Sequence, residues 1–304
     1  MIVRPGMHWF RILWVWRGSV LPRIMPRVVL TTTFAILVLL THGNLWHYHV
    51  SLTAEPFTLI GVALSIFLGF RNNVSYARFW EGRVEWGRLL NQGRTLTRQA
   101  LTHYSGPREE AEKFALAFVA CVHALRHQLR GSSADADVLP LLPATVHERV
   151  RQAVYKPTVI VLWLGEWIQT ARREGRLSDI LAQSMDSMLS ETNVVIGACE
   201  RIAGTPIPFT YSVLLHRTVY LFCFLLPFGL INQIGYMTPV IVAFVSYTFF
   251  ALDAISEEIE EPFGTMPNDL ALEAMGQMIE STVRELLGQP PLPEPQLKDG
   301  YLLL

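Results

Sequence analysis

Four apolar stretches separated by unequally charged connections constrain this 304-residue chain more than any other feature. They run from Val28 to about Leu45, from Pro56 to Phe70, from Tyr211 to Ile231 with His216 and Arg217 inside, and from Met237 to Leu252. Each is near or below the roughly 18–20 residues that a lone spanning helix needs. Taken singly, each reads equally well as a core helix of a water-soluble protein, and the charges decide between the two. Arg4, Arg11, Arg17, Arg23 and Arg27 precede the first stretch with no acid among them, and Arg71, Arg78, Arg83, Arg88, Arg94 and Arg98 follow the second. The Thr41–Glu55 and Asn232–Tyr236 connections carry no Lys or Arg. This alternation matches the positive-inside rule for four spans with both termini cytoplasmic, and Trp46, Tyr48 and Tyr236 fall at the outer boundary, where interfacial aromatics belong. No apolar core with a small-residue cleavage site precedes the first stretch, so it is expected to remain as an anchor.

The chain is 51% hydrophobic and 17% charged, against about 25% charged for soluble domains. The shift is mild, so a watery part comparable to the membrane part is expected. A formal net charge of −1 offers nucleic acid no basic surface. Cys121, Cys199 and Cys223 are too few and too scattered for a disulfide framework or a zinc site. They read as buried thiols of a protein in a reducing compartment.

The second apolar stretch ends in Gly69-Phe70-Arg71-Asn72-Asn73 with no break in its helical pattern, and no Pro occurs from Phe57 to Ser105. A helix that begins in lipid and ends in water has the form of a pore-lining element. Beyond it, Glu109–Arg130 reads as an amphipathic helix with Phe114, Ala117, Phe118, Cys121 and Leu125 on one stripe. Gly131–Pro143 reads as a loop, Val159–Arg173 and Leu177–Ile202 as helices split by Gly175, and Thr205–Pro208 as a rigid return toward the membrane. A last helix is expected over Asp269–Leu287 with Asn268 as its N-cap, followed by an extended or disordered tail over 289–304. No strand pattern or internal repeat is present. The expectation is an all-α, polytopic membrane protein forming one unit over 1–288, with spans at about 28–45, 56–72, 211–231 and 237–253 and cytoplasmic helices over about 73–205 and 269–287.

Several polar groups invite a chemical reading. His42, His47 and His49 cluster in the outer connection near Glu55, and read as interfacial polar residues rather than a metal site. His123 and His127 have the i, i+4 spacing of zinc ligands, but residue 124 is Ala, so the HExxH glutamate is missing. They are expected to be surface or packing residues. His216 and Arg217 either lie at membrane depth, where ionisable groups carry function, or mark the cytoplasmic interface. Glu257, Glu258, Glu260 and Glu261 read as a solvated helix end pairing with the N-terminal arginines. No GxSxG, P-loop or GxGxxG is present, and nothing points to an enzyme.

Seven separated motifs carry a resemblance to a known family. Trp16-Arg17-Gly18-Ser19 resembles the WRGS motif that precedes the first span of bestrophins. Ser65-Ile66-Phe67-Leu68-Gly69-Phe70 is similar to their pore-neck segment, Arg78-Phe79-Trp80-Glu81 to the patch that follows it, and Glu261-Pro262-Phe263-Gly264 to the NPFG after the last span. Cys199-Glu200-Arg201-Ile202, Thr205-Pro206-Ile207-Pro208-Phe209 and His216-Arg217-Thr218-Val219-Tyr220 are similar to the bacterial branch. The resemblance spans roughly residues 2–285 and implies a homopentamer in the bacterial inner membrane around one central pore. By position it carries the hydrophobic neck to Val62, Ile66 and Phe70, and the cytoplasmic constriction to Ile180. The i, i+4, i+8 spacing of the neck residues puts them on one helix face, and stacked apolar girdles gate by dewetting. Selectivity then falls to charged groups elsewhere, with Glu55 and Asp179 as candidates. The permeant species are small monovalent ions: chloride and other anions by family, with cations an alternative in the bacterial branch. Partners are a second copy of the chain, lipid and the ions. Regulated members bind calcium on an acidic run after the last span. Here Thr265-Met266-Pro267-Asn268-Asp269 holds one carboxylate, Asp269, where calcium prefers several. No cofactor is therefore expected, and Asp269 is the candidate if any metal binds. The competing readings are a non-conducting membrane scaffold or sensor, and a secondary transporter.

Overall fold

A computed structural model describes residues 1–2, 8–12, 14–42, 44–45, 48–49, 52–298 and 300–303, the pairs 44–45 and 48–49 through their backbone alone. Among these residues the fold is helical: α1 Trp9–Ile12, α2 Leu21–Leu40, α3 Ala54–His103, α4 Arg108–Arg130, α5 Asp135–Val138, α6 Ala144–Gln152, α7 Lys156–Arg173, α8 Asp179–Gly204, α9 Phe209–Ile234, α10 Thr238–Glu260 and α11 Leu272–Leu286. The exception is a two-residue antiparallel ladder, β1 Asn44–Leu45 with β2 Tyr48–His49. The chain divides into two compact units. One comprises Met1–Val3, Trp80–Thr205 and Pro262–Leu304, the other Arg4–Phe79 and Pro206–Glu261. By length and composition, three helical stretches suffice to cross a membrane: Leu21–Leu40, Ala54–His103, and Phe209–Glu260, which joins α9 and α10 through the single turn Gly235–Met237.

The second unit holds these apolar helices. Lipid offers no partner to a backbone amide or carbonyl, so helices that satisfy their own backbone are the natural solution. Their shared core contains Ile24 and Ala35 of α2, Phe57, Leu64 and Leu68 of α3, Leu215, Val219, Phe222, Cys223 and Leu226 of α9, and Val242, Phe249, Phe250, Ala251 and Ala254 of α10. Contact order along the chain fixes the direction of each helix. On α9, Phe222 meets Gly61 and Gly229 meets Phe57, while the Tyr211 hydroxyl donates to the Phe67 carbonyl. Rising numbers on one helix meet falling numbers on the other, so α9 runs against α3. The Tyr220 ring packs at a tilt on Phe250 and the Phe222 ring edge-on against Phe249, so α10 runs against α9. Phe34 of α2 packs on Phe224 and Phe228, and Arg27 lies over Tyr220, so α2 runs with α9. The four helices therefore alternate in direction along the chain.

In the first unit α4 is central. Its sequence suggests one apolar stripe, yet Ala111, Phe114, Ala115 and every residue from Ala117 to Arg126 are buried, because α7, α8, α11 and α5 all pack on it. The Phe114 ring lies 4.5 Å from the Trp167 ring of α7. Gly131 closes α4 in the left-handed region at φ 61°, the usual C-terminal stop for which glycine is suited. The segment expected to be a loop after it contains α5 and a tight turn over Leu139–Leu141. The last helix starts at Leu272, after Ala271 rather than Asn268. The residues before it are held in a turn, in which Met266 N–H donates to Asp269 Oδ2 at 2.7 Å and Leu270 N–H to the Pro262 carbonyl at 2.9 Å. Residues 289–297 have no regular secondary structure, and Leu302 bridges to Ile2 and Lys298.

Gly229 marks the closest approach between α3 and α9: a Cβ there lies 2.5 Å from two carbons of the Phe57 ring. Gly229→Ala is therefore expected to lower stability in detergent by about 1–3 kcal/mol, the range for overpacking. A thermal-unfolding series should show Phe57→Leu recovering part of that loss in the double variant.

Candidate functional site

Helix α3 presents two unlike faces. Phe57, Leu64, Leu68, Arg71 and Ser75 are buried, and their 7, 4, 3, 4 spacing traces one seam. At about 100° per residue, Val62, Ile66 and Phe70 centre half a turn away from it. Their exposures are 56%, 51% and 59%, so in the single chain three large apolar side chains face outward in successive turns. Pro56 lies in the first turn of α3, where its missing N–H has no intrahelical partner to lose. Glu55, beside it, is exposed.

Just past Phe70 the seam turns polar. Arg71, 5% exposed, donates from Nη1 to Asp253 Oδ1 at 2.6 Å, and Asp253 is 1% exposed on α10. The second Asp253 oxygen lies 3.1 Å from His216 Nδ1 of α9. Asn72 Nδ2 donates to the Leu252 carbonyl, Ser75 Oγ lies 3.1 Å from Ser256 Oγ, and Arg78 Nε donates to the Glu260 carbonyl at 2.9 Å. The Glu260 carboxylate accepts from Arg71 at 3.4 Å and from Ile207 N–H at 3.1 Å. In these pairs the numbers on α3 and α10 rise together, so the two helices run parallel. The acidic run is thus not uniformly solvated. Glu257 does pair with Arg23, but Glu258 is 8% exposed and the Glu260 side chain is 13% exposed. His216 is half exposed and bonded to a buried carboxylate. Arg71 reads in the sequence only as one of the arginines after the second apolar stretch, and Asp253 carries no site signal there. The available signal was a charged residue at the next seam position after 57, 64 and 68.

In the first unit, Ile180 is 80% exposed in the first turn of α8, whose N-cap Ser178 accepts from Leu181 N–H. Beside it, Asp179 accepts from Arg172 Nε at 2.6 Å, at one end of an open cavity of about 820 Å³ between α7 and α8. Asp269 is buried at 2% exposure in the turn before α11. The neck candidates thus share one face of α3, Asp179 and Ile180 adjoin at the start of α8, and Asp269 lies in a separate turn. Phe263 of the PFG sequence packs against Gly82, where a Cβ lies 2.9 Å from its ring. Among the described residues no group of three His, Cys, Asp or Glu side chains gathers as a metal site. His47 lies outside the described residues, and so does Trp46.

His123 and His127 belong to carboxylate pairs: His123 Nε2 lies 2.8 Å from Glu280 Oε2, and His127 Nε2 lies 2.9 Å from Asp137 Oδ2. Burial works to raise the Glu280 carboxyl, and the bonds from His123 and Arg284 outweigh it, holding it below the ordinary carboxylate value. All three cysteines are buried and unpaired. Burial pushes the Cys121 thiol up to about 12, and burial with the nearby carboxylates Glu85, Glu200 and Glu81 pushes Cys199 up to about 12. Both stay as thiols at neutral pH.

The family model for bacterial and fungal bestrophin proteins matches residues 1–285. The chain belongs to this bestrophin family. With its apolar helices it is a membrane-embedded protein. A bestrophin relative from Ralstonia nicotianae, named a voltage-dependent anion channel-forming protein, is 48% identical over 308 residues and the match covers 100% of both chains. The voltage-dependent anion channel-forming protein YneE of Escherichia coli (strain K12) is 43% identical over 305 residues, again with 100% of both covered. A crystal structure of a bacterial bestrophin homologue from Klebsiella pneumoniae superposes with a TM-score of 0.85 at 41% identity, covering 88% of this chain and 100% of that one. These names point to ion passage rather than catalysis.

Because the native Glu280 carboxyl is held low, its contribution is present above the unfolded value of about 4.3 and is lost as pH falls through the lower folded value. Glu280→Gln is expected to cost about 1–3 kcal/mol at pH 7, where it leaves buried partners unmatched. Unfolding curves at pH 7 and pH 3 should show the gap between the two proteins closing toward the acid end.

Proposed function

We propose that this chain is the subunit of a membrane channel for small monovalent anions, with Val62, Ile66 and Phe70 forming its hydrophobic neck. The observation that carries the reading is the outward apolar face of α3, half a turn from the packed seam. A ring of copies around a central axis, five by family resemblance, turns each of the three positions into an apolar girdle. Such girdles gate by dewetting and supply no charge preference. The anion assignment is supported by what the Ralstonia and Escherichia relatives are named. Four spans are supported by the alternating directions of α2, α3, α9 and α10. At 26 and 23 residues, α9 and α10 are each long enough to cross alone. The placement of arginines then puts both termini in the cytoplasm. Ile180 is assigned to the cytoplasmic constriction, and Glu55 and Asp179 to charges along the ion path. Asp269 remains the one candidate should a metal act on the channel.

Purified protein in liposomes should carry chloride, and paired salt gradients in planar bilayers should give an anion-selective reversal potential. Ile66→Ala is expected to raise flux about tenfold, equivalent to about 1.4 kcal/mol off the barrier. Ile180→Ala should raise it less. Absence of flux sinks the channel reading and returns the chain to a scaffold role, whereas flux indifferent to both substitutions overturns the neck and constriction assignments alone. A cation-selective reversal potential overturns the anion assignment alone.

A further inference from the structure

The buried seam of α3 changes character within one helical turn. Above Arg71 the seam is made by Phe57, Leu64 and Leu68, whose packing is dense but non-directional. Apolar knobs tolerate a small rotation or slide of one helix on the other. From Arg71 onward the seam is made by groups that bond only in one geometry: Arg71 to Asp253, Asn72 to the Leu252 carbonyl, Ser75 to Ser256 and Arg78 to the Glu260 carbonyl. Four bonds on residues 71, 72, 75 and 78 fix both the rotation of α3 about its axis and its height along α10. Phe70 immediately precedes this tier, on the opposite face, with Ile66 one turn before it.

Asp253 is the centre of the tier. One of its oxygens takes Arg71 of α3 and the other faces His216 of α9, so a single buried carboxylate ties three helices. The pair is an uneconomical means of stabilising an apolar bundle, since buried ion pairs rarely outperform apolar packing. Specifying one arrangement is the better-attested use of such a pair. Arginine also suits a geometric lock better than lysine, because its planar fork fixes direction as well as charge.

We propose that Asp253 is the positioning residue of the neck: through Arg71 it sets the rotational register of α3 and thereby the direction in which Ile66 and Phe70 face. The consequence for ion passage rests on the channel reading above, whereas the register itself does not. The Ser75–Ser256 contact supplies a direct measure of register. Replacing both serines with cysteine in the full-length protein, reconstituted in liposomes, places two thiols where the hydroxyl oxygens stand 3.1 Å apart. No native thiol is paired with another, and the linked-peptide readout identifies the engineered bridge by its own residues.

Under mild copper-catalysed oxidation the Ser75→Cys, Ser256→Cys protein should form its internal disulfide readily, detected as a linked peptide by mass spectrometry. Adding Asp253→Asn is expected to slow that reaction at least about fivefold, since disulfide formation demands close, aligned Cβ positions. Asp253→Glu should retain the fast rate. Arg71→Lys, which keeps charge and burial, is expected to slow it as well and serves if Asp253→Asn fails to assemble. With the native serines in place, Asp253→Asn and Arg71→Lys should also change chloride flux severalfold, in the same direction as Ile66→Ala. An unchanged disulfide rate in assembled Asp253→Asn or Arg71→Lys protein overturns the register assignment. A slowed disulfide with unchanged flux, in a channel that responds to Ile66→Ala, overturns its link to the neck. If Ile66→Ala itself leaves flux unchanged while the disulfide slows, the register assignment stands and the pore reading falls.

Discussion

Helix α3 has to satisfy two different surroundings along one cylinder, and most of the second unit is organised by how it does so. Its seam faces α9 and α10 through Phe57, Leu64 and Leu68, and its other face leaves Val62, Ile66 and Phe70 without a partner in the single chain. The close approach at Gly229, the aromatic ladder of Tyr220, Phe222, Phe249 and Phe250, and the parallel course of α10 all follow from the need to cover one side of α3 and only one.

Much of this architecture is legible in the sequence. The long α3 follows from fifty residues with no proline beyond the first turn, and the shared face of Val62, Ile66 and Phe70 from spacing alone. Spacing does not say which face is free, because that depends on where Gly229 and Phe222 allow α9 to approach. Asn268 has the residue type of an N-cap, yet the bonds from Met266 N–H to Asp269 and from Leu270 N–H to Pro262 hold the chain in a turn for three further residues. Glu258 and Glu260 looked wet because acidic runs usually are, and only their neighbours reveal that they are covered.

The comparisons and the geometry contribute different things. Similarity to the Klebsiella pneumoniae structure at 41% identity and a TM-score of 0.85 secures the architecture. The Ralstonia and Escherichia relatives are named anion channel-forming proteins. The packing of α3 supplies what neither gives: a polar tier beginning one residue after the last neck candidate, with partners from two other helices.

The separation of those partners along the chain has a consequence for how the protein is made. Arg71 and Asp253 are 182 residues apart, so at about 5–20 residues per second the ribosome takes roughly 10–40 s to deliver the second after the first. During that interval α3 can already sit in the bilayer with its guanidinium unmatched and its rotation unspecified. The membrane unit is therefore a late-closing structure, completed when α10 arrives near the end of translation. A chain interrupted before Asp253 would leave the Arg71 guanidinium without the carboxylate that holds it in the finished fold.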